Sequence, residues 1–156
     1  MTRFSASVDI PAAAEAVWAR ITDWPVHGRW IPFTTVLETS ERPDGVGATF
    51  VGHSGVGPIG FDDPMVVTQW TPPAAGRPGH CEVRKTGRVL LGRAEFDVLP
   101  RGDGDTTVHW MEDVQLAPVT ITRPLGPLIA AVGRIGFSRA LKKLAAELEA
   151  EVHKGG

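Results

Sequence analysis

Residues 89–116 read VLLGRAEFDVLPRGDGDTTVHWMEDVQL. Apolar and polar residues alternate on both sides of 101–105, a glycine- and aspartate-rich segment that is typical of a turn. Such alternation indicates half-buried strands, because successive side chains of a strand point to opposite faces. The stretch therefore predicts two antiparallel strands, 89–99 and 106–116, and the parity of each strand predicts which side chains face the interior.

The sequence before this hairpin predicts more strands. They are expected at 2–10, 34–40, 48–53, 62–71 and 80–85. After the first strand, Pro11 opens a predicted helix, since proline is tolerated in the first helical turn. A short second helical turn is expected to end before Pro32.

Beyond Thr122 the apolar period changes to that of a long helix. Its apolar stripe is predicted to run through Leu128, Val132, Ile135, Phe137, Leu141, Leu144 and Leu148. Consecutive strands imply an antiparallel sheet, and the terminal helix must cover one face of it. We therefore expect an α+β fold in a single domain, 1–156, with a curled antiparallel sheet of six to seven strands. A long helix laid across a curled sheet leaves a gap, and this gap is the candidate site.

Charge and composition exclude several kinds of partner. The formal net charge is −2 at pH 7, which does not favour binding to nucleic acid. The run 84–88 is basic and is interpreted as a charged hairpin turn. The single cysteine, Cys81, cannot form an internal disulfide and is expected to be buried. No apolar run is long enough to insert stably into a membrane, so a cytoplasmic location is predicted. The sequence is compatible with a monomer or a homodimer.

The order of elements resembles the START-like (SRPBCC) superfamily, and within it the polyketide cyclase/dehydrase and lipid-transport branch. The residues that carry the resemblance lie in 10–18, 23–32, 92–100, 104–110 and 140–144. The resemblance implies a helix-grip fold, in which the sheet wraps over the C-terminal helix after two short helices. It also implies a function within a family that includes lipid carriers, hormone receptors, aromatases and cyclases. The fold alone does not decide among these functions.

Strand parity and the helical stripe select a set of candidate ligand-binding side chains. They are predicted to line an internal cavity for a small hydrophobic molecule, such as a lipid or a polyketide-like compound. The set is Phe50, Met65, Val67, Leu90, Ala94, Phe96, Trp110, Leu128 and Val132.

Glu112 shares the inward face of its strand with Val108, Trp110 and Val114. A carboxylate on an apolar face is costly unless it is paired or protonated, and burial raises its pKa. Glu112 is therefore the candidate catalytic acid or base. The alternative is a structural role, in which Glu112 is partly solvated near the strand end or pairs with an arginine such as Arg139.

Other polar residues are weaker candidates. His109 is predicted to face solvent, and His53 faces solvent if Phe50 points inward. Asp62 and Asp63 are interpreted as a turn that enters a strand, and as neighbours they cannot readily share a proton. The histidines lack the spacing of a metal site, so neither a metal nor a cofactor is expected.

The segment 55–60 matches the string G-x-G-x-x-G, but a strand follows it rather than the helix that a dinucleotide site needs. We interpret it as a flexible loop that could gate the cavity. The glycines at 126, 133 and 136 interrupt the long helix, either for close packing on the sheet or to leave room for a ligand.

These observations leave three functional hypotheses. The first is a carrier or binding protein for a small hydrophobic molecule. The second is an enzyme of the cyclase, aromatase or dehydratase type that uses Glu112 in the same cavity. The third is a protein-interaction module that uses the apolar start of the last helix.

Overall fold

A computed structural model describes residues 1–155, with the side chain of residue 38 left out. The strands are β1 Thr2–Ile10, β2 Thr34–Thr39, β3 Thr49–Val56, β4 Ile59–Thr71, β5 Gly79–Thr86, β6 Leu90–Pro100 and β7 Thr106–Leu116. The α-helices are α1 Ala14–Ile21, α2 Val119–Thr122 and α3 Gly126–Lys154, and 3₁₀ helices span Trp24–Arg29 and Arg123–Leu125.

The strands form one seven-stranded sheet in the order β1-β7-β6-β5-β4-β3-β2. Every neighbouring pair is antiparallel. Strands β2 to β7 pair in chain order, and β1 joins the free side of β7. The sheet curls into a half-barrel around α3, and the two short helices follow β1. The predicted helix-grip fold is therefore confirmed.

The two halves of α3 have different surroundings. In the C-terminal half the buried residues are Ala140, Leu141, Leu144, Ala145 and Leu148. In the N-terminal half, Leu128, Val132 and Ile135 are more than half exposed. The prediction of one continuous buried stripe is therefore wrong for the first half of the helix. The helix also begins three residues later than predicted, at Gly126, because Pro124 lies in a separate 3₁₀ turn.

Aromatic side chains fill the corner between the short helices and the sheet. Trp24 stacks on Phe50 with ring centroids 4.3 Å apart, and its indole Nε1 donates to the Pro43 carbonyl at 2.9 Å. His27 is buried, and its Nε2 lies 2.8 Å from the carbonyl oxygen of Ile21. Because a carbonyl only accepts, this ring nitrogen carries the proton. The stacking of Trp24 on Phe50 packs the first 3₁₀ helix against β3.

The glycine-rich segment 55–60 is a tight hairpin in which β3 ends at Val56 and β4 begins at Ile59, so the prediction of a flexible loop there is wrong. A Cβ at Gly55 would lie 2.4 Å from the carbonyl oxygen of Ile59. The turn residue Gly57 has a φ of +58°. The glycines are therefore required by close approach of the two strands and by the turn geometry, rather than by a need for flexibility.

Candidate functional site

A cavity of about 520 Å³ lies between the inner face of the sheet and the N-terminal half of α3. Small-molecule sites commonly have volumes of about 300–1,000 Å³. Its wall is mainly aromatic and aliphatic, and the residues that bear ionisable groups on it are His27, Asp63, Lys85 and Glu112. The gap that the sequence predicted is therefore present.

Eight of the nine predicted ligand-binding residues line this cavity. They are Phe50, Met65, Leu90, Ala94, Phe96, Trp110, Leu128 and Val132. Val67 does not line it, although it is almost completely buried in the core. Its backbone pairs with Ala48, so it lies farther along β4 than Met65. Parity identified the correct face of the strand, but it carried no information on depth along the strand.

The rings that were not predicted extend the aromatic wall. Trp110 stacks between Phe96 and Phe137, with centroids 5.2 and 5.3 Å away. Phe4 of β1 lies 5.8 Å from Phe137 and also lines the cavity. The alternating pattern of β1 placed Phe4 on an apolar face, so this signal was available in the sequence.

The sequence left two explanations for the glycines of α3, close packing on the sheet and room for a ligand, and each applies to a different glycine. A Cβ at Gly133 would come within 2.5 Å of the Phe4 ring, so this glycine permits close packing on β1. Gly136 has no neighbour within 4 Å of an added Cβ and lines the cavity. One glycine therefore lets the helix approach the sheet, and the other leaves space beside the cavity.

Glu112 is buried on the cavity wall, as parity predicted. Trp110 Nε1 donates to its Oε1 at 3.1 Å, and Lys85 Nζ lies 3.9 Å from its Oε2. Its cationic neighbour is thus Lys85, so the prediction of Arg139 is wrong. The prediction of partial solvation near the strand end is wrong as well.

Lys85 and Asp63 complete a polar cluster that the sequence interpretation missed. Lys85 Nζ donates to Asp63 Oδ2 at 2.7 Å, and both side chains are more than nine-tenths buried. Lys85 therefore belongs to the interior and not to a charged turn. Parity could have shown this, because Lys85 shares its face of β5 with Cys81 and Val83, which are buried.

The neighbouring aspartates face opposite sides of β4. Asp62 pairs with His53 on the outer face, where Oδ1 and Nδ1 lie 2.8 Å apart. Asp63 points inward, so the two carboxyl groups cannot share a proton, as predicted. The outward orientation of His53 is confirmed. The His, Cys, Asp and Glu side chains that the structure describes form no group of three or more that could hold a metal ion.

Burial and neighbouring charges shift the pKa of each member of the cluster. Burial raises the pKa of Glu112, and the nearby Lys85 ammonium only partly offsets this effect. The same two effects act on Asp63, whose pKa is raised because burial outweighs the lowering by the Lys85 ammonium. For Lys85 burial alone would lower the pKa, but the two carboxylates outweigh it and the net pKa is raised.

The three groups contain one more acid than base, so full ionisation would leave an uncompensated negative charge in an apolar site. Asp63 is in direct contact with the ammonium at 2.7 Å, whereas Glu112 is 3.9 Å away. The extra proton is therefore best held by Glu112, which keeps Asp63 and Lys85 as the ion pair. A buried protonated glutamate can donate a hydrogen bond or a proton to a bound molecule.

The cavity opens along the N-terminal half of α3. Leu128 and Val132 both line the cavity and remain more than 60% exposed. Ile135, on the same half of the helix, is exposed without lining the cavity.

No helix within residues 1–155 is long and apolar enough to cross a membrane.

A family model described as polyketide cyclase / dehydrase and lipid transport matches residues 1–152. No curated protein sequence matches the chain. Among solved structures, a protein of Thermus thermophilus is 15% identical, with 96% of this chain and 98% of that chain covered and a TM-score of 0.76.

Two further solved structures have descriptive names. The Zhui aromatase/cyclase of Streptomyces sp. R1128 is 18% identical, with coverage of 99% and 97% and a TM-score of 0.75. A START superfamily protein of Mycobacterium smegmatis is 18% identical, with both chains covered completely and a TM-score of 0.64. At these identities the similarity shows a shared fold.

Proposed function

Because the chain belongs to the polyketide cyclase/dehydrase and lipid transport family within the START-like (SRPBCC) superfamily, we propose that it binds a small hydrophobic molecule between its sheet and α3. The ligand would be a lipid or a polyketide-like compound. We propose further that residues 1–156 act as one cytoplasmic binding domain, as a monomer or a homodimer.

The cavity is the observation that carries this proposal. A volume of about 520 Å³ lined by stacked aromatic rings and aliphatic side chains favours an apolar molecule of moderate size. Closely packed proteins rarely retain voids of this size without a use, because unfilled space forfeits dispersion contacts. The exposed positions of Leu128 and Val132 provide a route for a ligand to enter without unfolding of the core.

Direct binding of a neutral fluorescent probe tests the proposal. N-phenyl-1-naphthylamine should bind the wild-type protein with increased emission, and Val132→Arg should weaken binding about tenfold by placing a charge on the cavity wall. Ile135→Arg is the matched control, because Ile135 is similarly exposed but does not line the cavity. Equal effects of the two substitutions, or no binding by the wild type, would contradict the proposal.

Native mass spectrometry of freshly purified protein gives an independent measurement. A bound compound that is retained by Ile135→Arg and lost from Val132→Arg would support the cavity as the binding site. Extraction of that compound would identify its chemical class, and the same spectra would distinguish a monomer from a homodimer.

The second candidate function is acid–base catalysis in the same cavity, and the buried Glu112 favours it. Cyclases and dehydratases need a group that moves protons at carbon and oxygen next to a carbonyl, held in a site that orients the chain. Glu112 has the raised pKa that suits this role. Lys85 and Asp63 would orient it and balance its charge when the proton leaves.

Exchange of the acetyl methyl protons of 2-acetylnaphthalene in D₂O, followed by NMR, tests this second function. The wild-type protein should accelerate exchange over buffer, because protonated Glu112 donates to the ketone oxygen while solvent removes the methyl proton, and Glu112→Gln should reduce the acceleration by about 100-fold or more. The glutamine keeps an oxygen for the Trp110 indole, so binding of the probe should persist. Exchange no faster than in buffer would favour a carrier without this catalysis.

A further inference from the structure

The Asp63 carboxylate has one satisfied and one unsatisfied oxygen. Its Oδ2 accepts from Lys85 Nζ at 2.7 Å. Its Oδ1 is buried and has no hydrogen-bond partner among the side chains and backbone groups that the structure describes. A second buried atom of this kind, Trp30 Nε1, belongs to a side chain that does not line the cavity. Among the cavity-lining residues that the structure describes, Asp63 therefore carries the one buried side-chain acceptor without a hydrogen-bond partner, and because this oxygen has almost no accessible surface, a bound molecule must displace neighbouring side chains slightly to contact it.

A buried carboxylate oxygen without a hydrogen-bond partner is energetically costly. A bound molecule that donates a hydrogen bond to it therefore gains more binding free energy than it would from the same hydrogen bond in water. We propose that the ligand carries an uncharged hydroxyl group, of an alcohol or a phenol, which donates a hydrogen bond to Asp63 Oδ1. The inference rests on the proposed binding function and deepens it by stating the ligand's polar chemistry.

The charges of the cluster argue against a carboxylate on the ligand. Lys85 is already shared by Asp63 and Glu112. A ligand carboxylate would place a third acid beside a single ammonium in an apolar site, where like charges repel strongly. A hydroxyl adds no charge, and it can also accept a hydrogen bond from the protonated Glu112. The geometry thus selects alcohols and phenols over fatty-acid-like anions.

The test compares three probes that share one naphthalene body. They are 2-naphthol, which can donate a hydrogen bond, 2-methoxynaphthalene, which can only accept one, and 2-naphthoate, which is an anion. Titration calorimetry at neutral pH should show 2-naphthol binding at least about tenfold more tightly than either of the others, since a hydrogen bond to a buried charged group is strongly favourable.

Asp63→Asn replaces the carboxylate by an amide of nearly the same shape, so that the group facing the ligand donates a hydrogen bond instead of accepting one. Lys85 has donors only, so the asparagine must turn its oxygen to Lys85 and its NH₂ group to the ligand. The ratio of the affinities for 2-naphthol and 2-methoxynaphthalene should therefore fall about tenfold or more. Asp62→Asn is the matched control: the same chemical change on the outer face of β4 should leave the ratio unchanged.

The outcomes separate this inference from the function on which it rests. If the three probes bind equally, or if 2-naphthoate binds most tightly, the hydroxyl assignment is overturned while hydrophobic binding stands. If the wild type binds no probe, both are overturned. If Asp63→Asn is unfolded by circular dichroism, the wild-type ranking of the three probes still decides the inference.

Discussion

The buried His27 makes the stability of this protein strongly dependent on pH. Burial lowers the pKa of His27 to about 4 from an ordinary value of 6.5, against the smaller opposite effect of its hydrogen bond to Ile21. Between about pH 6.5 and pH 4, the imidazole ring of His27 is protonated in the unfolded chain but remains neutral in the folded protein. The contribution of this group is therefore present above pH 6.5 and is lost as the pH falls towards 4.

The magnitude follows from the difference between the two pKa values. Each unit corresponds to about 1.4 kcal/mol, so this group alone should remove about 3 kcal/mol of unfolding free energy between pH 7 and pH 4. Asp63 and Glu112 act with the opposite sign, because their folded-state pKa values are raised. Their contribution is present below the ordinary carboxyl pKa and is lost as the pH rises through the folded value.

A variant that cannot titrate isolates the histidine contribution. His27→Gln keeps an amide donor for the Ile21 carbonyl but has no proton to gain. Urea unfolding of the wild type and this variant should show their stability difference shifting in favour of the variant by about 3 kcal/mol between pH 7 and pH 4. His153→Gln, at a residue that is exposed, should run parallel to the wild type. A constant difference between His27→Gln and wild type across this range would refute the reasoning.

Three other substitutions or reactions have defined expectations. Lys85→Met leaves two buried acids without a cation and should cost about 3–5 kcal/mol at pH 7 in urea unfolding, with a smaller loss at pH 5 as they protonate. The exposed Arg84→Met should change stability by less than about 0.5 kcal/mol, and a similar loss would contradict the buried pairing. Gly136→Ala should raise stability by up to about 1 kcal/mol. Gly133→Ala should lack that gain because its Cβ meets an aromatic ring, so equal thermal midpoints would be contrary to the packing. Burial raises the pKa of Cys81 to about 12, so iodoacetamide at pH 8 should label it only in denaturant.

The elements and their faces could be predicted from local sequence. Alternation in 89–116 placed Trp110 and Glu112 on the inner face, and the structure agrees. Turn residues separated the strands well enough to set their number and order. The alternation of side chains between the two faces is a local property of an extended chain, so it does not depend on how the neighbouring strands pair. The failures at local level were at 55–60, where glycine was needed for close approach, and at the start of α3.

Only the tertiary structure determines which charged side chains lie next to each inward-facing polar group. Lys85, Asp63 and Glu112 lie on β5, β4 and β7, and they meet only because the register and curl of the sheet bring their side chains together. Val67 shows the same limit, since its face was correct and its depth was not. A sequence pattern determines which way a side chain points, because that depends on the backbone of its own strand. It does not determine which distant charge that side chain meets, because that depends on the register of every strand between them and on the path of the covering helix.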